Sequence, residues 1–570
     1  FQNKKNNKKK KGIFIMKFKR LAAGLLSVVM AFGLVACSSN NGASEANGTN
    51  NANEVNNTQE TGQEPVHLNL AESWGFEYFY TVITPDVTSS GYDLTYWLPS
   101  FYDTLVEYDS NGELSGVLAE SWSMSEDGCT YTFKIRQGIQ FSDGSDLTAE
   151  DVAKSLLAVP VNLGQYNGGY GKLSTIVKDA VAVDEYTVEF QLEQPYYGTM
   201  RELCLANPWG IVSSEQLNED LTAKDTFKSA TYGTGPYMYS GDNNGQVFNF
   251  EYNTNYWGEK PDVDSFSVKN IPDNDAKLLA LKNGEVDFYT GITKISAENF
   301  EEMSATDGFS AKADGNALQT YYMGYNLNDP IFGDQVVREA IATAVDKDSI
   351  TQNIFGGLYE AADTFFSRSL PYCDVDQKVY EYNMEAANKL LDDAGYVDTD
   401  NDGIREKDGV KLSAEFVYQT GSASDDDTVV YICDQLKQIG IELTPSSAAM
   451  MDWFAMVSGG QYGVTIFKTQ GGYYDPTVVI GGLDPKTSTD PILSQVNAYL
   501  PEGSLDELNA ATEEEKIQEI YNTILTTMSD ECLVTPLYYT HQLSVYNSNV
   551  SDYEYSGDTS FTSVQNIKVK

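Results

Sequence analysis

Apolar and polar residues alternate in "CTYTFKIRQGIQF" (129–141), with Tyr131, Phe133 and Ile135 on one side and Thr132, Lys134 and Arg136 on the other. That spacing predicts a half-buried strand. "EYTVEFQLEQP" repeats it with Tyr186, Val188, Phe190 and Leu192, and Pro195 ends the run. The period changes in "DQVVREAIATAVDKDSITQNIFGG". There Val337, Ile341, Ala344 and Val345 recur at helical spacing behind Asp334 as N-cap, and Gly356–Gly357 give the stop. A second helix is expected from Asn383 to Gly395. A third is expected in "TEEEKIQEIYNTILTTM", opened by a capping box from Thr512 to Glu515. Strands and helices alternate along the body without an evident repeat, so a mixed α/β architecture follows. At 570 residues the chain is too long for one ordinary core, and two or more lobes are expected.

The first part of the chain reads as an address. Met16 is expected to be the true start, with 1–15 translated from upstream sequence. Lys17, Lys19 and Arg20 precede an apolar run of 16 residues, 21–36. A membrane span needs about 20, so the run fits an export signal better. "LVAC", ending at Cys37, resembles the lipobox of bacterial lipoproteins, in which the cysteine thiol carries a diacylglycerol; two acyl chains anchor stably where one is marginal. The segment 37–65 is rich in Asn, Gly, Ser, Thr and Glu. It buries too little to offset its ordering entropy and is read as a tether. The globular body is expected from Val66, outside the cytoplasmic membrane.

Charge narrows the partners. There are 37 basic and 83 acidic side chains, for a net charge of −46, and nine of the basic ones precede Cys37, where no acid occurs. A body so acidic repels phosphate backbones, so nucleic acid is not expected as a partner. The two histidines and six cysteines form no C-x-x-C or H-E-x-x-H, so no zinc site of familiar spacing is expected. The cysteines read as small buried hydrophobes, with one disulfide left open. "DTDNDGIREKDG" begins like a calcium loop, with Asp398, Asp400 and Asp402 in the first, third and fifth positions. The twelfth is Gly409, where an EF-hand requires a glutamate. No G-x-S-x-G or P-loop occurs, and no carboxylate pair stands apart, so an enzyme is not expected.

Five blocks in order then carry a resemblance. "LAESWSMSEDGCTYTFKIRQGIQFSDGSDLTAEDV" (118–152) is followed by "GTGPY" (233–237) with "NYWGEKPDVDSF" (255–266), then by "IPDNDAKLLALKNGEVD" (271–287), "VREAIATAVDKDSI" (337–350) and "AANKLLDDAGY" (386–396). Together they resemble the peptide/nickel-type extracellular solute-binding proteins of ABC importers, family 5. The resemblance implies a two-lobed periplasmic-binding-protein-like clamp of mixed sheets flanked by helices, a large variant with an extra subdomain. One lobe would hold 66–310 plus 537–570 and the other 311–536, with the chain crossing near 309–320 and returning near 535–536. Ligand would bind between the lobes of a monomer and pass to a permease and its ATPase subunits.

The loop "KTQGGYYDP" (468–476) is similar to the nickel-type branch in Tyr474, Asp475 and Pro476. Gly472 stands where the dipeptide branch carries an amine-binding aspartate. Nickel-type relatives also place an arginine where Gly210 stands, and a histidine near "DPKTSTD". The resemblance puts Tyr92, Tyr96, Trp97 and Trp209 on one wall of the cleft and Gln470, Tyr473 and Tyr474 on the other. Arg368 is the candidate anchor for a carboxylate. The expected ligand is a nickel chelate or a short peptide. A bare metal ion is disfavoured for want of a thiolate or imidazole cluster. A peptide-sensing or adhesion lipoprotein on the same clamp is the other class of reading.

Overall fold

The computed structural model describes residues 64–84, 93–108, 113–291, 294–317, 319–420, 423–469, 476–486, 488, 490–555 and 562–570. Two large sheets organise the compact unit Glu64–Lys570. The first has seven strands in the order Phe309–Ala313, Leu543–Asn547, Phe288–Gly291, His67–Glu72, Ser265–Asn270, Val247–Tyr252 and Tyr237–Asp242. The second has six: Glu360–Ala361, Val534–Thr540, Gln319–Tyr325, Val464–Lys468, Ser413–Gln419 and Glu442–Ala448. A four-stranded antiparallel sheet holds Ala119–Met124, Thr130–Ile135, Thr187–Leu192 and Val177–Asp184. Both strands predicted from alternation are in it, with Tyr131, Phe133, Ile135, Val188, Phe190 and Leu192 buried.

Each large sheet has its own core. The first gathers Leu70, Phe76, Trp97, Phe250, Phe266 and Phe288 with Tyr546 and Tyr553 from the chain's end. Phe250 stacks between Phe101 and Phe266 at 4.9 and 4.8 Å between centroids. The second gathers Tyr322, Tyr325, Phe332, Ile341, Phe416, Ile432, Ile524 and Tyr538. Each fully buried side chain of this size contributes roughly 1.5–3 kcal/mol, so both halves hold substantial cores. The chain passes from the first sheet to the second across 314–318 and returns across 541–542. The return lies beyond the expected Thr535–Pro536, because Val534–Thr540 stays paired with Gln319–Gly324 up to Thr540, with one bulge at Leu537.

Two expected helix boundaries are corrected. The helix begun by Asp334, whose carboxylate accepts from Val336 N, ends at Ala344. Asp346 then caps a new helix, Lys347–Asn353, by accepting from Ser349 N. A second aspartate N-cap inside the apolar pattern is what breaks it. The late helix is Glu514–Asp530 with Glu513 at its N-cap and no side-chain cap bond, so the capping box at Thr512 does not form. No helix among the described residues is long and apolar enough to cross a membrane. Cys373 and Cys532 are buried, and Cys129, Cys204 and Cys433 are half-buried.

The "GTGPY" block owes its glycines to backbone packing. A Cβ on Gly233 would lie 2.1 Å from Phe101 O, and one on Gly235 would lie 2.5 Å from Phe101 C. Gly235 N donates to Phe101 O at 3.0 Å. The Asp103 carboxylate accepts from Thr234 Oγ1 and Trp257 Nε1, each at 2.8 Å, which ties this block to "NYWGEKPDVDSF".

Candidate functional site

Parallel strands present carboxyl ends to a common edge, and in α/β sheets ligands bind there. In the second sheet Ser413–Gln419 runs parallel to Glu442–Ala448 and Val464–Lys468. Their ends are Gln419, Ala448 and Lys468. The 468–476 loop leaves from this edge, and its root is fastened to the first crossing. Thr469 N donates to Thr320 O, Thr320 N to Thr469 Oγ1 and Gln319 Nε2 to Thr469 O, at 3.0, 3.0 and 3.1 Å.

Lys468 is half-buried, with its ammonium 5.7 Å from the centroid of Tyr321. Tyr321 is stacked on Tyr538 at 4.8 Å, and Tyr538 in turn meets Phe355 at 4.7 Å. Among the described residues the ammonium makes no hydrogen bond. Burial lowers its pKa, and the charge of Asp425 works against that shift. A cation desolvated over an aromatic platform is suited to an anionic guest.

The first sheet has a matching edge. His67–Glu72 is parallel to Ser265–Asn270 and Phe288–Gly291. At its carboxyl end Glu72, 2% exposed, accepts from Lys294 Nζ at 2.5 Å, Ser73 N at 2.6 Å and Trp97 Nε1 at 2.9 Å. The Lys294 ammonium lies 5.7 Å from the Tyr96 ring centroid. Burial opposes ionisation of Glu72. The Lys294 charge and the three hydrogen bonds outweigh it and hold the carboxyl below its usual range.

The unfolded chain therefore takes up this proton at higher pH than the fold does. The stabilisation is complete above the ordinary carboxylate range and is lost as pH falls through and below it. The expected result is a thermal midpoint whose advantage over a Glu72→Gln/Lys294→Met variant shrinks as pH is lowered from about 6 to about 3. Parallel melting-versus-pH curves for the two proteins would show that the pair does not titrate this way.

Several expected site residues can now be placed. Tyr92, Gln470, Tyr473 and Tyr474, like Cys37, lie outside the described residues. Tyr96 is half-buried beneath Lys294, and its main-chain oxygen accepts from Thr562 N at 2.6 Å. Trp97 and Trp209, expected on the cleft wall, are packed into the first core at 2% and 1% exposure. Trp97 stacks on Phe266 and gives its one polar hydrogen to Glu72. Trp209 meets Phe190 edge-on, and its Nε1 has no partner among the described residues. Arg368 donates to Val375 O at 2.5 Å and faces Asp374 at 3.6 Å, so local acceptors hold it. The structure adds Lys468, the first residue of the 468–476 loop, together with Lys294 and Glu72, which belong to no motif; all three stand at or beside strand ends.

Comparison with known proteins fits this geometry. The model of the bacterial extracellular solute-binding proteins, family 5 Middle, matches residues 113–490. The nickel-binding periplasmic protein of Escherichia coli (strain K12) is 28% identical over 458 residues, 80% of this chain and 86% of the relative. Oligopeptide-binding protein AppA of Bacillus subtilis (strain 168) is 29% identical over 452 residues, 78% of each chain. The crystal structure of NikA from Brucella suis in complex with Fe(III)-EDTA superposes with a TM-score of 0.81 at 26% identity, covering 88% of this chain and all of that one. Two large mixed sheets, each with its own core, and a family match over residues 113–490 have one reading: the chain belongs to the bacterial extracellular solute-binding proteins of family 5.

Proposed function

We propose that this protein is the receptor of an ABC importer, taking a small carboxylate-bearing solute between its lobes and passing it unaltered to a membrane permease and its ATPase. Nickel held in a chelate is the leading solute. The two relatives and the solved structure bind nickel, oligopeptide and a metal chelate by their names, which supports this range. The observation that carries the ligand class is Lys468. Its desolvated ammonium stands over Tyr321 at the edge from which the loop 468–476 departs. A chelate carboxylate would restore the partner that burial costs it. Neither histidine is placed to strip a hydrated ion. His67 bonds Ser265 Oγ and Ser267 Oγ, and His541 Nδ1 faces Asn316 O. The metal therefore arrives already chelated. A diacylglycerol on Cys37, with 38–65 as a leash, would hold the receptor monomer at the outer face of the membrane. The reading contains no catalytic step.

The test is mass spectrometry with elemental analysis of whatever co-purifies from the native host, followed by solution scattering with and without it. The expected result is nickel with a small carboxylic acid, and a more compact particle when it is bound. A metal-free peptide mixture would replace nickel by the peptide reading. One invariant shape with either ligand would end the clamp.

A further inference from the structure

We propose that the turn following the helix Met384–Asp393 holds a divalent cation, calcium by its donor chemistry, between Asp398, Asp400 and Glu406. One carboxylate oxygen from each lies within 4.8 Å of the others. Asp402, at the fifth position of the expected calcium loop, is not in this group. Its Oδ2 is held by Lys411 and its Oδ1 accepts from Ile404 N. Glu406 stands in its place, brought round by the pairing of Val397 with Glu406.

The Glu406 carboxylate carries the inference. It is buried. Its Oε1 accepts from Thr399 N at 3.0 Å and from the Thr399 hydroxyl. Its Oε2 is closed off from solvent and accepts nothing among the described residues. An anionic oxygen left without partner or water is costly, and such atoms are rare unless something not yet placed meets them. Asp398 is aimed by the backbone: Oδ1 accepts from Asp402 N at 3.2 Å and Oδ2 from Gly403 N at 2.9 Å, so each oxygen keeps a lone pair. Asp400 Oδ2 accepts from Lys411 Nζ at 2.8 Å. Among the described residues Lys411 is the cation paired with this group of Asp398, Asp400, Asp402 and Glu406, so negative charge remains for a metal ion.

All the donors are oxygen, with no imidazole or thiolate, which selects hard ions over nickel, copper or zinc. A loop of unequal donors suits the flexible coordination of calcium better than the octahedron of magnesium. Extracellular calcium modules work with dissociation constants of about 10⁻⁴–10⁻³ M, which suits an extracellular family. Bound there, the ion would pin Glu406–Lys407, paired with Val410–Lys411, to the turn above it. The same turn is tied to the helix Met384–Asp393 by Arg405, which donates to Asp392 Oδ1 at 2.5 Å and Asn388 Oδ1 at 3.0 Å. The ion would thus stiffen the second lobe rather than touch transported solute.

The experiment uses the full mature chain, stripped with chelator, dialysed and titrated with calcium chloride against sodium chloride of equal ionic strength. The expected result is a thermal midpoint raised by about 2–4 °C, half of it reached at about 0.1–1 mM calcium, with magnesium weaker. Glu406→Gln should remove the calcium response, while Asp402→Asn should keep most of it. If Glu406→Gln folds poorly, Asp400→Asn serves, and terbium luminescence of the unaltered protein, displaced by calcium, reads the site directly. No midpoint shift beyond the sodium control at about 5 mM calcium, or an equal response in Glu406→Gln, overturns the proposal.

Discussion

Arg338→Met is expected to destabilise the protein by on the order of 3–5 kcal/mol in denaturant titration. The guanidinium is fully buried, at 0% exposure. Nε donates to Cys532 O at 2.9 Å, Nη1 to Phe332 O at 2.8 Å and to Gly333 O at 3.0 Å, and Nη2 to Glu531 O at 2.7 Å. Four main-chain carbonyls from two distant loops converge on one planar group. Among the described residues it pairs with no carboxylate. Methionine fills much of the volume but leaves those carbonyls without donors away from water, and each then costs about 1–3 kcal/mol before relaxation. Arg338→Lys keeps the charge and loses the fork, so it should fall between the two. The loss should be confined to the second lobe, whose helix Gln335–Ala344 the arginine staples to the turn before Val534–Thr540. A midpoint for Arg338→Met within experimental error of the parent would mean that water or movement of 531–533 satisfies the carbonyls.

The block containing Arg338 was recognisable in the sequence as a signature, but its physical cause was not. Local periodicity announced what local periodicity controls. The strand Thr130–Ile135 and the start of the helix Gln335–Ala344 follow from residues within one turn or one pleat of each other. The break at Asp346 depended on a competition between two aspartate caps, which an apolar repeat does not register. The site was less legible still. Lys468 opens the loop whose tyrosines and Asp475–Pro476 carry the resemblance, and its own importance comes from Tyr321, brought opposite it only by antiparallel pairing. Glu72 and Lys294 meet across parallel strands whose adjacency no spacing rule predicts. Trp97 has an aromatic face suited to a cleft wall, yet Glu72 takes its indole hydrogen and turns it into the core. Residue type suggested a role in each case, and pairing over long separations decided it.

Arg201→Ala is expected to weaken solute capture by about tenfold while leaving the melting temperature of the unliganded protein nearly unchanged. Arg201 lies on the short helix Thr199–Glu202 beside the first core and reaches across to the second. Nη1 donates to Tyr108 Oη at 2.7 Å and Nη2 to Tyr372 Oη at 3.0 Å, with the guanidinium carbon 4.9 Å from the Tyr372 ring centroid. Burial keeps the Tyr372 phenol protonated by raising its pKa to about 12, so it can accept from the arginine and donate to Glu514 Oε2 at 2.6 Å. A second bridge joins Tyr197 Oη to Tyr521 Oη at 3.0 Å. These contacts join the lobes away from the chain crossings and touch no residue of the candidate site. They must be remade at each closure if the lobes part. On the proposed reading a solute binds the closed state, so its apparent affinity scales with the closed fraction, and about 1.4 kcal/mol removed from that state costs one decade. Arg201→Lys keeps a charge near Tyr372 but not both bonds, and should lose less. Calorimetry with the co-purified solute measures the affinity, and scattering of the empty protein measures the closed fraction. Both should move together in Arg201→Ala. If the closed fraction and the affinity both stay at parental values, the bridge persists in the open form as well, and closure is decided by the solute's own contacts at Lys468 and the loop that follows it.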